Sequence, residues 1–176
     1  EDKYLGNATQ QVLGPLIRLI HPEICNLWAY YEAGFHNLLV VSVEERYRKE
    51  AMKTALSIMG EGQLSLTKCI ITVSEDVNPR DFHAVLKAIH ENFDPAYDFI
   101  MIPKVPLDTL DFTSYKMNLG SKMIIDATRD DMEKTAKERT FKSQDIERLL
   151  KTIDTRITDW NILDETLLVV TVPDSG

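Results

Sequence analysis

Three apolar runs alternate with two stretches of helical periodicity, and this alternation restricts the chain to few architectures. The runs lie at residues 35–43, 68–73 and 98–102, and the first two contain several apolar residues in succession, as in strands covered on both faces. Between the runs, residues 47–60 and 79–92 place apolar side chains three and four positions apart, as on the buried face of a helix. The order predicts an α/β fold: a three-layer sandwich with a mixed, largely parallel sheet flanked by helices.

Further elements are predicted on both sides of this central pattern. Apolar spacing predicts a helix at residues 7–20, and Asn78 is expected to cap the second central helix, with Pro79 as its first residue. Similar patterns predict a short strand at residues 122–125, helices at 130–138 and 143–153, and a last strand at 167–172.

The composition fits one globular domain and argues against several partners. The chain has 176 residues, of which 44% are hydrophobic, and its net charge is -8, so nucleic acid is not an expected partner. Its apolar runs are far shorter than the roughly 20 residues that cross a bilayer. Cys25 and Cys69 lie in apolar stretches and the N-terminus lacks an export leader, which together predict a soluble, cytoplasmic protein with reduced thiols.

Both ends of the sequence suggest a piece of a longer protein. The first residue is Glu1 rather than Met, and the last predicted strand lies close to the final residue, so more chain is expected. An ordinary protein trimmed of a tag would fit the composition equally well.

A search for catalytic motifs finds no catalytic set. The sequence contains no glycine-rich phosphate loop, no GxSxG elbow and no HExxH motif. Gly60 and Gly62 follow a predicted helix and precede a strand, which is typical of a helix end rather than of a dinucleotide site. The four histidines are scattered, although His83 and His90 could share a helix face, so no metal site is predicted.

Three segments carry residues that are unusual for plain scaffolding. Residues 63–68 place hydroxyl groups and a lysine directly before a buried strand, and residues 106–112 form a polar loop after the third strand. Residues 120–128 begin with Gly-Ser-Lys-Met and end with Asp-Ala-Thr.

Together with earlier motifs, these segments resemble the C-terminal half of UbiD-type (3-octaprenyl-4-hydroxybenzoate carboxy-lyase-like) decarboxylases. The resemblance rests on several motifs in the same order. They are Pro-Glu-Ile at 22–24, Glu-Ala-Gly-Phe-His-Asn at 32–37, Leu-Thr-Lys at 66–68, Glu-Asp-Val at 75–77, and the two halves of segment 120–128. It covers residues 1–128, an assembly and pocket-wall domain, and leaves residues 129–176 as a helical and strand extension of the same domain.

The resemblance implies a reversible, non-oxidative decarboxylation of an aromatic or unsaturated carboxylic acid. In this family the reaction uses prenylated FMN with a divalent metal and potassium, and the cofactor supplies the difficult chemistry. The catalytic residues belong to a preceding N-terminal flavin-binding domain, so none is assigned here, and the fragment alone is expected to be inactive and to bind no cofactor. Its expected partners are that domain and further copies of itself. A polyprenylated hydroxybenzoate, a naphthoate of menaquinone synthesis and a smaller aromatic acid all remain possible substrates.

The resemblance also implies site residues. Ser65, Leu107 and Thr109 are expected in the wall of the substrate pocket, and Lys68 and Lys122 are candidates for contact with a cofactor phosphate or another anion. The alternative is a stand-alone α/β interaction or regulatory module without catalysis.

Overall fold

A computed structural model of the chain describes residues 2–109, 111, 113–114, 116–129 and 143–173. The chain divides into two compact units, one of residues Glu1–Met132 and one of residues Glu133–Gly176. The domain boundary predicted after residue 128 stays a prediction.

The first unit contains three α-helices, two 3-10 turns and five strands among its described residues. They are α1 (Asp2–Ile20), β1 (Ile24–Ala29), a 3-10 turn (Tyr31–Ala33), β2 (Leu38–Val43), α2 (Glu50–Ile58), a second 3-10 turn (Gly62–Leu66), β3 (Cys69–Ser74), α3 (Phe82–Asn92), β4 (Phe99–Pro106) and β5 (Leu119–Ala127).

These strands form one mixed sheet in the order β1-β2-β3-β5-β4. The three central strands β2, β3 and β5 are parallel, with Val41 opposite Thr72 and Thr72 opposite Asp126. The two outer strands are antiparallel to their neighbours. The predicted α/β class with a mixed sheet between helices is therefore confirmed.

The third predicted strand differs from the expectation in direction and length. It was expected to continue the parallel order and to end before Pro103, but β4 lies antiparallel at the edge and runs to Pro106. A proline is tolerated there because an edge strand has ladder positions that need no N–H donor. The pairing also shifts its register between Ile102 and Val105, which accommodates the interruption.

The helices cover both faces of the sheet because strand side chains alternate in direction. On one face, Leu39, Val41 and Ile70 pack with α2, and Ile17 of α1 joins the same cluster. On the other face, Val40, Ile71 and Val73 pack with α3. The central strands are thus buried on both faces, which explains why apolar residues follow one another along them.

The sequence does not predict β1, whose pattern is irregular. Its pairing with β2 shifts register between Ile24 and Asn26, so apolar residues do not alternate along it. Gln10 of α1 supports this edge strand: its side-chain amide accepts from the Ala29 N–H at 2.7 Å and donates to the Ala29 carbonyl at 3.2 Å.

The predicted cap of α3 is wrong. The helix begins at Phe82, and the Asp81 carboxylate accepts from the N–H groups of His83 and Ala84 at 3.1 and 3.2 Å. Asn78 instead accepts from the Arg80 N–H at 3.1 Å within the preceding turn. Both residue types favour helix starts, so the choice between neighbouring candidates depends on the turn.

Two charged networks lie inside this unit. Glu23 is 3% exposed, and it accepts from Thr54 at 2.5 Å and from Lys53 at 3.0 Å. Burial alone would raise the pKa of Glu23, but hydrogen bonds from Thr54 and Lys53 outweigh it and lower the pKa to about 2. At the C-terminal ends of the parallel strands, Lys49 bridges the buried carboxylates of Asp98 and Asp126.

The second unit contains α4 (Ser143–Ile153), β6 (Asp159–Leu163) and β7 (Leu167–Thr171) in its described part. The predicted helix 143–153 and the predicted last strand are confirmed, and β7 pairs with β6 in an antiparallel hairpin. The helix predicted at 130–138 lies outside the described residues. In the described parts of the chain, no helix has the length and apolar character needed to cross a membrane.

Candidate functional site

Two of the segments that the sequence marks as unusual, and the start of the third, meet at one edge of the sheet. Because β2, β3 and β5 are parallel, their first residues lie at the same edge. There the Lys68 N–H donates to the His36 carbonyl at 2.8 Å, and the Met123 N–H donates to the Lys68 carbonyl at 2.9 Å. We call this region, with the loop that follows β4, the strand-start edge.

Lys122 points inward at this edge and is only 5% exposed. Its ammonium group donates to the Ser65 carbonyl and, at 2.9 Å, to the Thr67 carbonyl. Burial lowers the pKa of Lys122, since a charged amine is disfavoured away from water. The lysine therefore fastens the 3-10 turn before β3 to β5, and its assignment as an anion contact stays a prediction.

Lys68 holds the loop that follows β4. Its ammonium nitrogen lies 2.8 Å from a carboxylate oxygen of Asp111 and 2.5 Å from the Thr113 hydroxyl. Hydrogen bonds from Lys68, which has the larger effect, and from Thr113 lower the pKa of Asp111 to about 2. Lys68 thus keeps a fixed cationic position at the edge, where its predicted contact with an anion is untested.

Leu107 lies under the start of β5 and is 3% exposed. A Cβ atom added to Gly120 would come within 2.3 Å of the Leu107 side chain, so only glycine allows this approach. Thr109 is exposed, and the Ser65 hydroxyl donates to the Gly62 carbonyl at 2.6 Å. Ser65 and Leu107 belong to the same edge, and the pocket wall that they and Thr109 are expected to form stays a prediction.

The sequence does not predict the pairing of His36 with Asp108. The two side chains are hydrogen-bonded through Nδ1 of His36 and are both partly exposed, 37% and 20%. The pair ties the start of β2 to the loop after β4. Asp108 stands in the segment 106–112 and His36 in the family motif at 32–37, but they are 72 positions apart, so only the fold reveals the contact.

Across the parts of the chain that the structure describes, no group of three or more His, Cys, Asp or Glu side chains could hold a metal ion. The ammonium groups of Lys68 and Lys122 already have partners within the chain.

The chain is similar to known proteins in sequence and in fold. The profile of the family described as 3-octaprenyl-4-hydroxybenzoate carboxy-lyase C-terminal domain matches residues 3–127. A protein from Chlamydia pneumoniae, named as one of the subunits of a 4-hydroxybenzoate decarboxylase, is 44% identical over 124 residues, which are 70% of this chain and 21% of that protein.

Two solved structures have the same fold. The UbiD-class enzyme HmfF from Pelotomaculum thermopropionicum, in complex with FMN, aligns over 81% of this chain and 32% of its own, with a TM-score of 0.64 and 22% identity. The vanillic acid decarboxylase of Sedimentibacter hydroxybenzoicus in closed form aligns over 78% of this chain and 30% of its own, with a TM-score of 0.62 and 24% identity.

The family match covers well over half of the chain, and it ends at the last residue of β5. The chain spans only about a fifth of the chlamydial relative, so the match concerns one domain of a larger protein. This chain belongs to the family of 3-octaprenyl-4-hydroxybenzoate carboxy-lyase C-terminal domains.

Proposed function

We propose that this chain is the assembly and pocket-wall domain of a prenylated-FMN-dependent decarboxylase. The whole protein would remove carbon dioxide from an aromatic or unsaturated carboxylic acid of the ubiquinone or menaquinone precursor type. An N-terminal flavin-binding domain of the same protein would supply the catalytic residues, with the divalent metal and potassium that accompany the flavin. This chain would contribute one wall of the pocket and contacts between copies in a cytoplasmic homo-oligomer.

The observation that carries the proposal is the construction of the strand-start edge. Lys68 and Lys122 fix two separate loops against the sheet by charged hydrogen bonds, and Leu107 is locked under Gly120. A rigid frame of this kind suits a wall that must present loop residues to a substrate in a fixed position. The exposed side chain of Thr109 is then the position most open to the substrate.

The test is a decarboxylation assay on the full-length parent protein supplied with prenylated FMN. The panel contains a prenylated hydroxybenzoate, a naphthoate, a simple hydroxybenzoate and a cinnamate. We expect turnover of at least one acid, and we expect Thr109→Trp to lower kcat/KM at least about tenfold by narrowing the pocket. Thr152→Trp on α4 is the matched control, because Thr152 is also exposed.

Two outcomes would contradict the proposal. One is a loaded parent protein that turns over none of these acids. The other is stoichiometric flavin binding by the isolated 176-residue chain, because the proposal assigns flavin binding to the N-terminal domain.

A further inference from the structure

A cavity of about 170 Å³ lies between α1 and the outer edge of β1, away from the strand-start edge. Two arginines, Arg18 of α1 and Arg80 of the turn before α3, contribute to its lining. Gln11, Asn26 and Trp28 complete the part of the wall that bears on its chemistry.

The charge of this cavity is opposite to that of the chain. The net charge of the chain is -8, yet none of the described residues that line the cavity is acidic. Among the described residues, neither Arg18 nor Arg80 forms an ion pair with a carboxylate. Arginine is always charged and donates in a fork that matches carboxylate and phosphate oxygens, so two such groups favour an oxyanion.

Arg80 is held in place before any ligand arrives. Its guanidinium carbon lies 4.4 Å from the centre of the Trp28 ring, within the range of a cation–π contact. On one side the Pro79 carbonyl accepts from the Tyr30 hydroxyl at 2.7 Å, and on the other Asp81 caps α3. A preorganised guanidinium loses little freedom on binding an anion.

The amide groups of the wall also favour an acceptor ligand. The Asn26 side-chain oxygen accepts from the Leu27 N–H at 2.9 Å, so its amide nitrogen is the part of the side chain left to donate. Gln10 is fixed on Ala29 and keeps α1 at a constant distance from β1. The wall is therefore rich in hydrogen-bond donors, and the distance between α1 and β1 is fixed.

We propose that this cavity binds a small oxyanion, a carboxylate or a phosphate, between Arg18 and Arg80. Bound there, the anion links α1, β1 and the turn before α3. The proposal is independent of the decarboxylase assignment, because it requires only these side chains.

The test is an NMR titration of the 176-residue chain with inorganic phosphate, acetate and acetamide at constant ionic strength. The indole N–H of Trp28 reports on the cavity, and that of Trp160 in the second unit is the internal reference. We expect saturable shifts at Trp28 with a dissociation constant in the millimolar range for phosphate or acetate. The stronger ligand identifies phosphate or carboxylate as the natural chemistry, and acetamide, the neutral analogue of acetate, should produce no saturable shift.

Variants assign the binding to the arginines. Arg18→Gln and Arg80→Gln should each weaken the better ligand at least about tenfold, because each removes a charged hydrogen-bond donor. Arg80→Lys keeps the charge and should lose less. Arg156→Gln in the second unit makes the same chemical change at an arginine that does not line the cavity, and it should have no effect. Unchanged affinity in both cavity variants, equal shifts with acetamide, or no saturable shift with either anion would overturn the proposal. If Arg80→Gln does not fold, the affinity of Arg18→Gln for the better ligand tests the proposal.

Discussion

At the scale of single residues, Leu107 and Gly120 are coupled by their close approach. We expect Gly120→Ala to lower the free energy of unfolding by about 1 to 3 kcal/mol, since the new methyl group overpacks the site. Leu107→Ala should cost about 2 to 5 kcal/mol by leaving a cavity. Leu107→Ala removes the Leu107 atoms that the new methyl group meets and leaves the Ser114 hydroxyl at 3.1 Å. The double variant should therefore cost less than the sum by about 1 kcal/mol.

Urea denaturation of the four proteins measures this coupling. Gly14→Ala is the control, because no atom outside its chain neighbours and its own helix backbone lies within 4 Å of a Cβ added there. Pro15 follows Gly14 and disfavours a Cβ-bearing residue before it in a helix, which offsets the gain in helix propensity, so we expect a change of at most about 1 kcal/mol. Additive effects of the two changes at Leu107 and Gly120 would refute the contact.

Asp111 makes stability at this edge depend on acid. Its pKa in the folded protein is about 2, against an ordinary value of 3.8, because Lys68 and Thr113 stabilise the carboxylate. A lowered pKa means that the contribution is complete above pH 4 and is lost as the pH falls toward 2. We expect Asp111→Asn to cost at most about 2 kcal/mol at pH 7, with the difference from the parent protein shrinking between pH 4 and 2.

Urea denaturation at a series of pH values checks the dependence. Asp76→Asn is the matched control, because Asp76 pairs with Arg129 at an exposed position and such pairs contribute little. A cost for Asp111→Asn that is constant down to pH 2 would contradict the assignment.

At the scale of elements, α3 tests the correction of its cap. Asp81→Ala removes the acceptor of two N–H groups and should cost about 1 kcal/mol of unfolding free energy. Asn78→Ala removes one contact within a turn and should cost less. Thermal unfolding of both variants measures these costs. An equal or larger loss of stability for Asn78→Ala would favour Asn78 as the cap of α3, as the sequence predicts.

The comparison of elements explains what the sequence can predict. The strands β2 and β3 are buried on both faces, so their apolar runs stand out, and α2 and α3 have regular apolar faces. The direction of β4 depends on pairing with β5, which no local pattern encodes. The register shift in the pairing of β1 with β2 interrupts the alternation of apolar and polar residues along β1, so no regular strand pattern marks it in the sequence.

The candidate site, like the fold, can be predicted only in part from the sequence. The sequence indicates which segments are unusual, since lysines and hydroxyl groups beside buried strands are conspicuous. It does not reveal that Lys68 pairs with Asp111 or His36 with Asp108, because those partners are brought together by parallel pairing across distant segments. Family resemblance suggested the proposed function, and the pattern of apolar residues predicted the fold.

At the scale of the whole molecule, stability should be unevenly distributed. Amide hydrogen exchange should be slowest in β2, β3 and β5, which lie at the centre of the sheet. It should be fastest in β6 and β7, because a two-stranded hairpin is marginally stable alone and all five residues of β7 are exposed. Mass spectrometry of peptic fragments measures both, and similar protection in the two sheets would contradict the expectation.

The pairing of Gln10 with Ala29 has a consequence for behaviour at high concentration. An outer strand with open N–H and C=O groups is a template for a strand from another molecule, and that is a route to aggregation. Gln10 occupies this template at Ala29 with its own amide, and an incoming strand would have to displace it. A single side chain of α1 thereby makes Ala29 of this edge strand unavailable for pairing with a strand from another molecule.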